Sequence, residues 1–206
     1  AMRTNLALDR ELSRVCKRVI DTGVDACSIL GDSTFNKTGL LTDAASTLTV
    51  TTIPADGTGS STLWSTKTAT LILRDINRLF SDIVTATAGL YPADTLLLPP
   101  AQLELIMSLP LFTGTDITVY SFLKKNRPNL QIFGVPRLTA VADLSSYDVA
   151  VAYQRSKEVL TYKVPVPFYA MPGTYTGDYD FAVTCFADVA GMERKNPKAI
   201  AYGAHI

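Results

Sequence analysis

Phe186-Ala187-Asp188-Val189-Ala190-Gly191-Met192-Glu193-Arg194-Lys195-Asn196-Pro197-Lys198-Ala199-Ile200-Ala201-Tyr202 is the stretch from which the rest of the chain is best read. Val189 to Arg194 and Ala199 to Tyr202 have strand composition, and Asn196-Pro197 separates them as a turn would. They close a run of strand-like segments that starts after Asp143: Val149 to Tyr153, Val159 to Val166 and Phe181 to Phe186 precede them. Little in this third of the sequence has helical spacing. Val164-Pro165-Val166-Pro167 lacks two ladder donors, so it belongs at a sheet edge or in an extended arm.

Upstream the period changes. Leu8, Leu12, Val15, Val19, Cys27 and Leu30 recur at spacings of three, four or their sums, which predicts one amphipathic helix over Leu8 to Leu30. At 1.5 Å per residue it would run roughly 34 Å. Its polar side carries Asp9, Arg10, Arg14, Lys17, Arg18 and Asp21, the mixed-sign pattern of a solvated face. Gly31-Asp32 stops it, and Gly39-Leu40-Leu41 should tuck two leucines against the core. Residues 42–68, dominated by Thr, Ser, Ala and Gly, read as a flexible surface loop with one short strand from Leu48 to Ile53.

A second helix is expected with Leu71, Ile72, Ile76, Leu79, Phe80 and Ile83 on one face, capped by Thr66 or Thr68 and ended by Gly89. Asp94 to Leu98 follows as an apolar strand. Pro99-Pro100 opens a third helix, since the first helical turn has no use for the missing amide. Pro110 closes it, a fourth runs from Ile117 to Lys125, and Leu130 to Leu138 is extended. Helices first and strands last make an α+β chain with two lobes.

The composition narrows function. Of 206 residues 47% are hydrophobic and 18% charged, rich for a solitary soluble subunit, yet no apolar run is long enough to span a bilayer. That surplus points to contacts between subunits. Nineteen basic and nineteen acidic side chains cancel, which argues against a long-range field for nucleic acid or anionic lipid. Ala1-Met2-Arg3-Thr4-Asn5 is not a cationic-then-apolar leader. Cys16, Cys27 and Cys185 form no Cys-x-x-Cys pair, and buried, reduced thiols are the expectation.

Chemistry finds few footholds. His205 is the only histidine and the second-last residue, a poor base for a triad. Asp178 and Asp180 flank Tyr179 with the two-residue spacing that puts both carboxylates on one side of a strand entrance, a spacing compatible with holding a hard cation or serving a small hydrolytic enzyme. Turn chemistry beside Gly173 and Gly177 explains them more simply. Asn36-Lys37-Thr38 is formally a glycosylation acceptor without a secretory context. Tyr162, Phe168, Tyr169, Tyr175, Tyr179 and Phe181 form an aromatic stretch with only Lys163 interleaved, better suited to packing against a sheet or neighbour than to stacking bases. No catalytic, cofactor or metal residue is assigned.

The order of these features resembles the major capsid proteins of tailed bacteriophages. The long helix into Gly31-Asp32 and the loop Thr38-Gly39-Leu40-Leu41 resemble that family's spine helix and its Gly-Leu-Leu loop. Asp94-Thr95-Leu96-Leu97-Leu98-Pro99-Pro100-Ala101-Gln102 is similar to its strand-to-helix junction, and Val119-Tyr120-Ser121-Phe122-Leu123-Lys124-Lys125-Asn126 to the helix after it. The Gly191-x-Glu193-x-Lys195-x-Pro197 pattern before an apolar strand resembles the family's closing strands.

The resemblance implies the Hong Kong ninety-seven capsid fold: an axial domain with a central sheet flanked by helices, and a peripheral domain in which the spine helix lies beside a narrow antiparallel sheet. Residues 1–41 would begin the peripheral domain, 42–147 form the axial domain, and 148–206 return to the peripheral one. It further implies pentamers and hexamers of identical subunits closing an icosahedral virion shell around double-stranded DNA, assembled in the host bacterial cytoplasm with scaffold or portal partners. Weak DNA contact would fall to residues such as Lys124, Lys125 and Arg127. Relative to that family the sequence reads as a fragment lacking an N-terminal arm and an extended hairpin loop, expected to stay monomeric or form small oligomers. Asn196 matches a cross-link acceptor by position only. An encapsulin-type nanocompartment shell is the alternative within the same fold.

Overall fold

The computed structural model describes residues 2–112, 114–144, 146–175 and 181–206. In chain order the elements are α1 (Met2–Ile29), α2 (Ala44–Thr47), β1 (Thr49–Val50), α3 (Ala69–Ala86), β2 (Thr95–Leu98), α4 (Pro100–Ser108), α5 (Val119–Asn126), β3 (Gln131–Gly134), β4 (Val149–Tyr153), β5 (Leu160–Lys163), β6 (Val166–Ala170), β7 (Thr174–Tyr175), β8 (Phe181–Ala182), β9 (Cys185–Asp188), β10 (Gly191–Arg194) and β11 (Ile200–Ala204). The chain divides into two compact units. The first holds 1–41 and 162–193, the second 42–161 and 194–206.

In the first unit α1 packs against β6 and β9. The helix begins well before Leu8, because nothing in Arg3-Thr4-Asn5-Leu6-Ala7 breaks it. It stops as expected: Gly31 takes φ 81°, the left-handed conformation that costs glycine nothing, and its amide donates to the Cys27 carbonyl at 3.0 Å. The chain then doubles back. Asp32 and Lys37 form an antiparallel bridge, after which the amides of Leu40 and Leu41 donate to the carbonyls of Ser28 and Ile29 at 2.9 and 2.8 Å. Both leucines are buried. β6 pairs antiparallel with β9 through a bulge between Val166 and Tyr169, where Pro167 cannot donate.

In the second unit a five-stranded mixed sheet has the order β1-β11-β4-β2-β3. β4 runs antiparallel to both β11 and β2, while β1 is parallel to β11 and β3 to β2. All four residues of β2 are buried, which is why Thr95-Leu96-Leu97-Leu98 reads as one apolar block without alternation. α3 lays Ile72, Ile76, Leu79 and Ile83 into the core with Leu96, Leu98, Ala150, Ala152 and Ala201. Each fully buried Ile or Leu among them contributes about 1.5–3 kcal/mol. The alanines on β4 and β11 leave room for the branched side chains of α3. Gly89, with φ 80°, ends that helix region through its amide bond to the Val84 carbonyl at 2.8 Å.

Four expectations need correction. Residues 148–206 do not form one returning lobe: β4 and β11 pair with each other from Val149↔Ala204 to Tyr153↔Ile200 in the five-stranded sheet, and only the strands between them accompany α1. Apart from Tyr153 and Tyr202 their residues are small or branched and apolar, and nearly all are buried, as suits a sheet covered on both faces. The 42–68 segment is not a loose loop, because Trp64 is fully buried and Lys67 is tied down by carboxylates. The span from Val159 to Val166 breaks into β5 and β6 at Val164-Pro165. The thiols also differ from one another: Cys27 is buried, and burial pushes its thiol up, whereas Cys16 and Cys185 are half-buried.

Candidate functional site

Asp178, Tyr179 and Asp180 lie outside the described residues; the strands on either side of them pair in register, Thr174 with Ala182 and Tyr175 with Phe181. His205 adopts φ 68° and stacks on Tyr147 with ring centroids 3.7 Å apart. It borders a cleft of about 490 Å³ whose walls include Val50, Ile53, Thr62, Asp143 and Tyr202. The cleft is walled on one side by this aromatic stack. No group of three His, Cys, Asp or Glu side chains among the described residues could share a metal ion.

The glycosylation-like triplet is folded into the first unit. Thr38 donates its hydroxyl to the Met192 carbonyl at 2.9 Å, and the Met192 amide returns a bond to the Thr38 carbonyl at 2.7 Å. This reciprocal pair stitches the Gly-Leu-Leu loop to β10. Gly191 makes it possible: its φ is 91°, and a Cβ there would sit 2.7 Å from the Thr38 carbonyl oxygen. Lys37 adds an ion pair to Asp188 at 3.9 Å, exposed enough to contribute little.

The three cations named for DNA contact are largely engaged at home. Lys124 donates to the Leu130 carbonyl at 2.7 Å, and the Arg127 guanidinium lies 4.3 Å from the centre of the Phe80 ring. Lys125 is exposed. Asn196 caps the 3₁₀ turn Pro197–Ala199 and is half-buried.

The aromatic stretch divides between core and surface. Tyr162 reaches α1, its hydroxyl 3.4 Å from the Val24 carbonyl, and burial raises its pKa. Tyr169 instead stands opposite Phe186 across the β6–β9 ladder, ring centroids 5.5 Å apart, and both rings are exposed. Exposed apolar side chains recur elsewhere: Val15 and Val19 on α1, and Phe112 and Ile117 on the loop after α4. Single exposed apolar residues are ordinary; the ones that matter are grouped on one element. The helical spacing had placed Val15 and Val19 on the core face. Two apolar stripes share α1, and the sequence does not say which is covered by the chain itself.

Sequence reasoning also missed a charged cluster in the second unit. Lys67 meets Asp75 and Asp56, and Arg74 meets the same two carboxylates, at 2.6 Å from Asp56 and 2.8 Å from Asp75. Asp56 is held below the ordinary aspartate range, chiefly by its hydrogen bond from Arg74. The signal was present: Asp75 interrupts the apolar face between Ile72 and Ile76, and a carboxylate there needs a partner.

A family model described as "Major capsid protein" matches residues 1–206. Among solved structures, the chain is similar to the capsid of the Myoviridae phage XM1, at 16% identity and TM-score 0.80, over 97% of this chain and 65% of that one. It is also similar to a virus-like particle from Pyrococcus furiosus, at 16% identity and TM-score 0.54, over 78% of this chain and 58% of that one. The chain thus spans less than two thirds of the length of either. At such identity the likeness is one of fold. No curated protein sequence matches.

Proposed function

Because the chain belongs to the major capsid protein family, we propose that it is a structural subunit of a tailed-bacteriophage or prophage shell, acting by association with copies of itself. The observation that carries this is the family match along all 206 residues. The first unit, a long helix beside the β6–β9 ladder, corresponds to the peripheral domain, and the second, with the five-stranded sheet, to the axial domain. Grouped exposed apolar side chains on α1, on β6–β9 and on the loop after α4 supply surfaces that a shell would bury.

In this reading subunits form pentamers and hexamers that close an icosahedral shell around double-stranded DNA in the host cytoplasm, aided by portal or scaffold proteins. The shell's contact with DNA is weak and non-specific, consistent with a formal net charge of zero and with two of the three suggested cations bonded within the chain. The work is geometric and calls for no catalytic residue. Expression of the complete reading frame that contains this chain, viewed by electron microscopy, should give closed isometric shells. Protein that remains unassembled together with its own portal and scaffold genes would count against the reading.

The likeness to the Pyrococcus furiosus particle supports a second reading, a nanocompartment shell, although its TM-score of 0.54 is well below 0.80. The contents of purified shells separate the two: genomic DNA for a capsid, a protein cargo for a compartment.

A further inference from the structure

The charges of α1, mixed in sign when taken together, are sorted along the helix. Arg10, Arg14 and Arg18 follow one another at four-residue spacing with Lys17 beside them, and all four are exposed. By helical geometry they fall within an arc of about 100° and along about 12 Å of the axis. Cys16, Ile20, Val24 and Cys27, half-buried or buried, centre roughly 110° away, so the cations occupy a flank that the first unit leaves uncovered. Asp21 and Asp25 come only after them.

Residues 10–18 therefore hold four positive charges against one negative, Glu11, in a chain whose charges otherwise cancel. Like charges four residues apart repel on a helix face, and Arg10, Arg14 and Arg18 form two such pairs in succession. None of these three, nor Lys17, has a side-chain hydrogen bond or ion pair among the described residues. Lys124 and Arg127 differ in this respect, one bonded to a carbonyl and the other seated on a ring. The row on α1 is the group of neighbouring cations with its charge left to offer.

We propose that this flank of α1 is a contact surface for the phosphate backbone of double-stranded DNA, and that a shell turns it toward the genome. The proposal rests on the shell-subunit reading and names the surface of the weak DNA contact included there. A duplex carries one negative charge per about 1.7 Å of axis, so a 12 Å row runs beside about seven phosphates and neutralises three or four of them. Long, flexible cationic side chains on an exposed flank position a backbone without reading its sequence. Asp21, next along the same flank, repels phosphate and ends the contact there, which keeps it short and weak.

The test uses the chain as it is and a labelled duplex of about 30 base pairs, with anisotropy read from about 50 to 200 mM salt. The logarithm of the binding constant should fall against the logarithm of salt with a slope of about −3, as three to four neutralised phosphates require. Arg14→Gln with Arg18→Gln, shown to be folded by circular dichroism, should bind about tenfold more weakly at the lowest salt and flatten the slope by about two. Lys157→Gln with Lys198→Gln removes the same charge from exposed positions of the second unit and should bind as the parent does. Asp21→Asn should bind more tightly than the parent. Equal weakening by the two double variants would assign the binding to net charge and overturn the proposal. Binding to phosphatidylglycerol vesicles with none to the duplex would make the row a lipid contact and overturn it too. If the Arg14 and Arg18 variant binds as the parent does while the complete protein still forms shells, this contact is removed and the shell-subunit reading stands. Binding that depends on Arg14 and Arg18 in a protein that never forms shells does the reverse.

Discussion

Lys67 places its Nζ 2.7 Å from Oδ2 of Asp75, with both side chains wholly shielded from solvent. The same ammonium group donates to the Pro54 carbonyl at 2.8 Å and lies 3.2 Å from Asp56. One lysine thereby fastens both ends of the 54–67 segment to α3, and Trp64 within that segment is fully buried. Breaking such a pair from one side strands a buried charge. Lys67→Met and Asp75→Leu should each lower unfolding free energy by about 3–5 kcal/mol, while the double variant should recover most of the loss. Denaturant unfolding monitored by circular dichroism measures all three, and additive losses in the double variant would refute the coupling.

Acid should loosen the same segment. Asp56 is held below its ordinary value by Arg74 and then Lys67, so its contribution is present above the unfolded-state aspartate value and is lost as pH falls through the lower folded-state value. Trp64 is the only tryptophan, fully buried, and reports the segment directly. Its emission should shift to the red on acidification below the ordinary aspartate range, and Asp56→Asn should show part of that shift already at neutral pH. Identical titration curves for parent and variant would mean that Asp56 does not hold the segment.

Gly39 and Gly191 hold the loop after α1 in place for different reasons. A Cβ at Gly39 would fall 2.7 Å from the Leu30 carbonyl carbon and 2.8 Å from the Ile29 oxygen, both backbone atoms at a helix end that cannot move alone. At Gly191 the positive φ adds strain to a 2.7 Å clash with Thr38. Gly39→Ala and Gly191→Ala should each cost about 1–3 kcal/mol or more and expose the 32–41 backbone to hydrogen exchange first. Protection of Leu40 and Leu41 amides equal to the parent's would contradict this account.

These particulars mark what sequence can convey. The helix stop at Gly31, the buried run Thr95 to Leu98, the Pro100 helix start and the strand character of 149–153 and 200–204 are local, and each was legible. Membership of a sheet is not local. β4 and β11 are as apolar as any closing strands, yet β4 lies between β11 and β2, an element far upstream in the sequence, and only pairing assigns them. The polarity of 42–68 suggested looseness because Thr and Ser are soluble residues, while one buried tryptophan and one lysine outweigh that average. On α1 periodicity identified an apolar stripe at Val15 and Val19, and the bulk of the first unit lies against the stripe next to it.

Tyr169 and Phe186 face each other on the outside of the β6–β9 ladder, 52% and 41% exposed. Such a cross-strand aromatic pair contributes about 0.5–1.5 kcal/mol to its own ladder. Replacing both with serine should therefore cost the folded chain about 1 kcal/mol while sharply reducing the yield of closed shells from the complete protein. Thermal melting and electron microscopy read the two effects separately. Undiminished shells from the double variant would show that this face stays in solvent.

Gly23 lies inside α1 with open space where a Cβ would go. Glycine there costs the helix about 1 kcal/mol relative to alanine without making room for any neighbour among the described residues. Gly23→Ala removes backbone freedom from the unfolded chain and should raise stability by about 0.5–1 kcal/mol. Denaturant unfolding monitored by circular dichroism measures the gain. A variant no more stable than its parent would show that the position is not the open helical site its surroundings describe.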